Sequence, residues 1–491
     1  MRIQFNTNRV RSGQPMAGPA ARRIATILSC TFLLGACQTF SSDGGMDAVA
    51  AFTGHELRKD VVAIRSDEQS AATRAVIERL LKRPLTADAA VQVALLNNRD
   101  LQAAYNELGI AEAAMVGASL PPNPTISLSR IAGSGELEIE RRIIGDILAL
   151  ATLPARAELA SDRFHQAQLR AIAETLRIAV DTRRAYYRAV AARELVGFLS
   201  QAQDAAATAA QLARRLGETG ALNKLDQARE QVFYADIATQ VAAAQRRADS
   251  DRERLIRLLG LWGRDLDFRL AGALPPLPRG AQALPAIEVE AVRRRVDLQI
   301  ARIEVAAVAK SFGLTQATRL INRLEVGGVS KTTRSPDTGV VRQRGIEVEF
   351  QVPLFDFGEV RVRAAEQTYR EAVNRLTQKA VNVRSEARDA YRIYRSAYDV
   401  AAHYQREVLP LRKIISDEML LRYNAMQIDV FALLAEARQR IAANVAGIEA
   451  RREFWIANTN LFAVVVGGSP AGEAGEGFRP VLAATGEAAG H

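Results

Sequence analysis

The sequence predicts a mainly α chain with a transmembrane β-barrel, built as two halves that each hold a strand pair and long helices. Three observations predict this. The chain runs through nearly the same order of elements twice, and a repeat this large implies two equivalent halves. Its polar helical stretches are longer than any compact domain needs. Its short alternating segments are apolar on one side and charged on the other.

The N-terminus reads as a targeting segment. Arg22 and Arg23 precede an apolar run from Ile24 to Leu34, and Leu34-Gly35-Ala36-Cys37 closes it. This is the charged, apolar and small-residue order of a secretory signal, and the run is too short to span a bilayer as a helix. Residues 1–36 are therefore expected to be removed, with either Met1 or Met16 as the true start. The alternative is an ordinary signal peptide with a chance cysteine. Of the two cysteines, Cys30 lies in the signal, so no disulfide is expected in the mature chain. The same segment holds Arg2, Arg9, Arg11, Arg22 and Arg23 and no acid, so losing those five charges takes the net charge from +10 to +5.

Residues 37–84 read as a polar, weakly patterned arm. A first half follows over 85–262. Thr86 is a candidate N-cap for a helix to about Leu120, ended by Pro121-Pro122-Asn123-Pro124. Strands near 123–144 come next: Ile126 and Leu128 alternate with serines, Gly133-Ser134-Gly135 turns the chain, and Leu137 and Ile139 alternate with Glu138 and Glu140. Helix runs from Pro154 to about Leu216, breaks at Gly217-Glu218-Thr219-Gly220, and resumes to about Trp262. A stretch of about 62 residues at 1.5 Å each spans roughly 90 Å. Its stripe is rich in Ala with Leu and Ile at three- and four-residue spacing, as in Leu169, Ile172 and Leu176, which suits close coiled-coil packing. Pro275, Pro276, Pro278 and Pro285 mark 263–285 as an extended linker. The second half, 286–466, repeats the order: helix to about Ile321, strands near 322–330 and 343–352 separated by a polar turn Lys331–Thr338, helix from Glu359 to about Tyr423, and helix from about Asp429 to Phe462. Residues 467–491 read as a disordered Gly- and Ala-rich tail.

The strands carry the sharper argument. Ile346, Val348, Phe350 and Val352 point one way and Glu347, Glu349 and Gln351 the other. In a membrane barrel the apolar side meets lipid and the polar side lines water, so Glu138, Glu140, Glu347 and Glu349 are the expected lumen-lining residues. Four strands cannot close a bilayer-spanning barrel, which needs at least eight. Three chains would supply twelve, and closure matters because open sheet edges are not tolerated in lipid. Phe355 and Phe357 are candidates for an interfacial aromatic belt.

Other chemistry finds no footing. His55, His165, His403 and His491 are far apart and in no metal-ligand spacing. Gly472, Gly475 and Gly477 follow no strand, so no nucleotide loop is expected. Lysine and arginine are interspersed with acids, which disfavours nucleic acid. No catalytic residue, metal or cofactor is expected.

These residues together resemble the outer-membrane efflux proteins, the TolC-like channels, over roughly 85–465. Leu85-Thr86 through Asp100-Leu101 is similar to the family's opening helix, and Arg295-Val296-Asp297-Leu298 to the start of its second copy. Val352-Pro353-Leu354-Phe355-Asp356-Phe357-Gly358 is the most specific match; Leu153-Pro154 is its looser counterpart in the first half. Leu34–Cys37 resembles a lipobox, with Cys37 lipidated, and Gln38 after it resembles an outer-membrane address. The resemblance implies a homotrimer in the outer membrane of a Gram-negative bacterium: a twelve-stranded barrel continuing into a periplasmic coiled-coil tunnel. It implies a passive channel, not an enzyme, serving a tripartite efflux pump or a type I secretion system. The partners it implies are a periplasmic adaptor, an inner-membrane transporter and outer-membrane lipid. It also implies a periplasmic gate at the helix–turn–helix tips, with Asp226 matching a first-tip acid, Tyr423 its second-tip partner, and Arg422 a further candidate. The pattern departs at Met426, where glycine is usual, at Ile428, where some members carry a latch arginine, and at Ala432 and Ala435, where some have acids. A periplasmic adaptor and a lipid-anchored structural coiled coil are the competing classes; duplicated strand pairs fit neither.

Overall fold

A computed structural model describes residues 40–133, 135–321, 323–336 and 339–467. The expected signal, Cys37 and the tail from 468 lie outside the described residues. The elements run α1 (Met46–Glu56), α2 (Asp67–Leu81), α3 (Ala87–Asn97), α4 (Arg99–Ser119), β1 (Thr125–Gly133), β2 (Glu136–Asp146), α5 (Ile147–Ala151), α6 (Leu153–Glu218) and α7 (Lys224–Leu259), then α8 (Ile287–Arg294), α9 (Val296–Ala317), β3 (Leu324–Ser335), β4 (Gly339–Phe350), α10 (Glu359–His403), α11 (Leu409–Asn424) and α12 (Val430–Phe462). The order broken helix, strand pair, long helix, return helix thus occurs twice. Two compact units cut across these halves: one holds 113–160 and 323–350, the other the remaining described residues from 42 onward.

Caps set many helix starts. Ser66, Thr86, Asn223 and Asp429 each accept a hydrogen bond from the backbone N–H three residues on, satisfying donors that the helix itself leaves open. The arm is more ordered than its composition suggests: α1 and α2 bury Val49, Thr53 and Ile77. The two opening helices are each broken in the same way. Asn98 (φ −65°, ψ 125°) and Arg295 (φ −63°, ψ 119°) both leave helical geometry for one residue. Each break has its own fastening. Asn98 donates to the Leu258 carbonyl and its side chain accepts from Leu101 N, while Asn97 donates to the Leu259 and Gly260 carbonyls. The two asparagines thereby cap α7, which ends at a left-handed Gly260 and not at Trp262 as expected. Arg295, only 2% exposed, forks onto both Asp297 oxygens at 2.9 and 3.0 Å and reaches Glu386 at 2.5 Å. A buried charge is tolerated only with such full pairing.

The larger unit has a core around α3, whose Ala90 to Leu96 side is buried with Leu176, Ile178, Leu255 and Leu259. The long α6 buries alanines from Ala171 to Ala213, as its small-residue stripe predicts. A second core packs Tyr394 at a tilt and Tyr398 edge-on against Phe454. Its polar tips tie down the proline-rich linker: Tyr394 Oη accepts from Gln282 N, Tyr398 Oη donates to the Pro278 carbonyl, and Trp455 Nε1 donates to the Pro275 carbonyl. The expected single helix from Glu359 to Tyr423 is interrupted by a π-helical turn, Tyr404–Val408. Pro410 lies just beyond it; proline has no N–H to give the Arg406 carbonyl, and the ladder widens there.

In the smaller unit the strands form one antiparallel sheet in the order β1-β2-β3-β4. The second strand pair is longer than expected. Lys331 to Ser335, read from sequence as a polar turn, is strand, paired from Lys331↔Gln343 to Ser335↔Gly339.

Candidate functional site

The sheet sorts its side chains by chemistry. Residues directly opposite in an antiparallel ladder project to the same face, so the register assigns every position. Rows Ser129–Glu140–Lys331–Gln343 and Ile131–Glu138–Thr333–Val341 fix one face. Along β2 and β4 that face carries Glu138, Glu140, Arg142, Asp146, Glu347 and Glu349; β3 adds Glu325 and Lys331. The four glutamates expected to share a face therefore do so, though they come from opposite halves of the chain.

They are also ion-paired. Lys331 holds Glu138 at 2.7 Å, and Arg142 holds Glu140 and reaches Glu347 at 3.7 Å. That reach crosses β3, where Gly327, paired with Glu347 on one side, presents no side chain. Arg323, just before β3, bridges Glu325 at 2.8 Å and Glu349 at 3.3 Å. Sequence reasoning missed Arg142, Lys331, Arg323, Glu325 and Asp146. Parity within longer strands would have found most of them; Lys331 was lost because its polar run reads as a turn.

The other face is uncovered and carries an apolar band toward the strand ends that lead into the helices. Ile126, Leu128, Ile143, Val326, Ile346, Val348 and Phe350 are all exposed, Ile346 by 83%. The apolar band continues into α5, where Ile147 and Leu150 are also exposed. Exposed apolar area on this scale marks an interaction surface. Among the described residues the outer edges, β1 and β4, have no further strand partner, and they run antiparallel to each other.

At the signature junction after β4, Asp356 Oδ1 accepts from Gly358 N. Arg319 donates to the Phe357 carbonyl at 2.8 Å, and Arg361 donates to the Thr318 and Arg319 carbonyls. Phe357 (φ 47°) and Gly358 (φ 73°) are both left-handed, and Phe355 is fully exposed.

The helical tips place the gate candidates in their own turns. Asp226 follows the cap residue Asn223, accepts from Asn223 Nδ2 at 2.6 Å and pairs with Arg229 at 3.1 Å. Arg422 pairs with Glu418, one turn back on its own helix. Tyr423 is partly exposed, and its carbonyl accepts from Met426 N. Among the described residues no hydrogen bond joins Asp226 to Tyr423. Met426, where glycine is usual, adopts φ 58° and is 94% exposed. Below the tips the two hairpins share a core of Leu195, Leu199, Ile237, Val241 and Ile448, and Arg438 pairs with buried Glu230 at 3.2 Å. Burial raises the Glu230 carboxyl above its usual range, with Arg438 partly offsetting it.

No protein-family model matches the chain, and no curated protein sequence matches it. Solved structures do. The outer-membrane channel OprN is 19% identical, with TM-score 0.65 over 83% of this chain and 97% of that one. The Campylobacter jejuni CmeC outer membrane channel is 17% identical, with TM-score 0.67 over 78% and 86%. The Neisseria gonorrhoeae MtrE outer membrane channel, in its open state, is 14% identical, with TM-score 0.62 over 79% and 89%. With its doubled strand pairs and helical hairpins, the chain has the fold of the TolC-like outer-membrane efflux channels that its sequence resembles.

Proposed function

We propose that the chain is the outer-membrane channel of a tripartite efflux pump: a passive exit duct that receives cargo from a periplasmic adaptor and an inner-membrane transporter. The observation that carries this reading is the sheet, ion-paired on one face and bearing an exposed apolar band and no acid on the other. Three copies would close twelve strands. Because β1 and β4 run antiparallel, β4 of one copy can pair with β1 of the next and keep the alternation unbroken. The apolar face then meets lipid, the acids line water, and no edge is left open. The helices would form the periplasmic tunnel, its tips the gate around Asp226, Arg422 and Tyr423. After loss of residues 1–36, lipidated Cys37 would add an anchor; firm retention takes more than one acyl chain.

Purified full-length protein tests the reading. The expected result is a trimer on unboiled gels that collapses on boiling, together with discrete single-channel currents in planar bilayers. A monomer of unchanged mobility that forms no channels would sink it. For the anchor, palmitate should label wild type and not Cys37→Ser; equal labelling removes that part alone.

A further inference from the structure

The exposed apolar face of the sheet changes character along its length. Cross-strand pairing aligns its side chains into rows. Where the strands join the rest of the chain the rows read Leu324–Phe350, Val326–Val348 and Ile126–Ile143–Gly328–Ile346. Toward the hairpin turns they read Leu128–Arg141–Ser330–Arg344, Arg130–Ile139–Thr332–Arg342 and Ala132–Leu137–Arg334–Val340. Arg130, Arg141, Arg334, Arg342 and Arg344 thus occupy three adjacent rows, all exposed, and no acid lies on this face of the four strands. Among the described residues, no ion pair or side-chain hydrogen bond engages any of them. On the opposite face Arg142 and Lys331 are paired with glutamates.

We propose that these arginine rows bind the phosphate groups of a phosphorylated glycolipid in the outer leaflet. The inference rests on the channel reading, which puts this face against lipid and the hairpin turns on the far side from the periplasm. Arginine is costly in hydrocarbon, so the rows mark the headgroup boundary, with the aliphatic stems lying on the apolar band and the guanidinium groups reaching up. Rows are about 6.8 Å apart along a strand, and Arg130 lies diagonally across from Arg141, as Arg334 does from Arg342. At such spacing two guanidinium forks can share one phosphate, a geometry lysine does not reproduce. In the closed trimer β4 of one copy lies beside β1 of the next, which brings Arg342 and Arg344 near the neighbouring copy's Arg130 and Arg141 and builds the site between copies. Five like charges with no acid beside them among the described residues of this face repel each other until an anion of fixed position joins them.

The experiment uses the delipidated, full-length trimer in detergent. It is titrated by native mass spectrometry with bis-phosphorylated lipid A and with the same lipid after removal of both phosphates. Lipid A should bind at least about tenfold more tightly than the dephosphorylated form, the size of one charge-assisted contact. The combined variant Arg130→Gln, Arg141→Gln, Arg342→Gln, Arg344→Gln should bind the two lipids alike, while Arg375→Gln, on α10 outside the sheet, should keep the wild-type preference. If the combined variant does not assemble, the pairs Arg130→Gln/Arg141→Gln and Arg342→Gln/Arg344→Gln are tested separately and each should weaken lipid A. Equal binding of both lipids to wild type, undiminished binding in the assembled variants, or displacement by equimolar inorganic phosphate would overturn the proposal and leave the channel reading standing. A chain that forms no trimer at all would overturn both.

Discussion

At Gly358 two demands meet on one residue. Its φ of +73° favours glycine, and a Cβ there would lie 2.3 Å from the Arg319 carbonyl oxygen. A side chain must therefore move the backbone that Arg319 and Arg361 fasten, beyond the roughly 1–2 kcal/mol that left-handed geometry itself costs. Gly358→Ala is expected to lower the melting temperature and the yield of assembled protein. Gly313→Ala, in the interior of α9 with nothing near its Cβ, is the control; it should be neutral or stabilise by up to about 1 kcal/mol. Equal melting temperatures for the two variants would mean that the junction relaxes freely. The motif around Gly358 is legible in the sequence because consecutive residues carry it. Its fasteners are not: Arg319 and Arg361 lie outside the motif and contact the backbone, which leaves no periodic trace.

At the scale of elements, strand parity sets both what is readable and what fails. Alternation at Ile346–Glu349 agrees with the register, which puts the four glutamates on one face of the sheet. Strand ends were misjudged because Lys331–Ser335 is polar on both faces, and a polar run without a core resembles a turn until its partners are known. Val348 lies in the middle of the exposed apolar band and Glu349 on the ion-paired face. Near the bilayer midplane an arginine facing lipid costs about 2–4 kcal/mol. Val348→Arg should therefore reduce heat-modifiable trimer, whereas Glu349→Arg should assemble and alter conductance; the reverse outcome would put the faces the wrong way round. The tips read differently. Resemblance pairs Asp226 with Tyr423, yet within one chain Asp226 belongs to Asn223 and Arg229. A latch between neighbouring copies would have to draw Asp226 from these partners. Hydrogen bonds to charged groups contribute about 1.5–3 kcal/mol, less when exposed, and three copies would bias a closed tip measurably. Asp226→Ala and Tyr423→Phe should each raise single-channel conductance, and the double variant should add little. Unchanged conductance in all three would place closure elsewhere, with Arg214, Arg215 and Arg422 next to be tested.

For the whole molecule, the doubled order is legible in the sequence from recurring strand pairs and long polar helices, whereas the one-residue breaks at Asn98 and Arg295 are not, because each opening helix reads as continuous. The sequence halves and the compact units nevertheless differ, because strands from both halves must share one sheet before either can sort its faces. That sharing determines the electrostatics of the proposed pore. On the ion-paired face Glu136, Glu138, Glu140, Asp146, Glu325, Glu347 and Glu349 outnumber Arg142, Lys331 and Arg323, so the lumen of a trimer would be net acidic. Rings of acid select cations. Under a KCl gradient the reversal potential should show cation preference, which weakens as salt is raised and screening shortens. Glu347→Gln with Glu349→Gln should move that potential toward zero without changing the amount of trimer, since neither change reaches the apolar face. The measurement is best made in whichever tip variant conducts most, so that the barrel and not the gate sets the selectivity. Anion preference in wild type, or an unmoved potential in the double variant, would show that these acids do not line the conducting path.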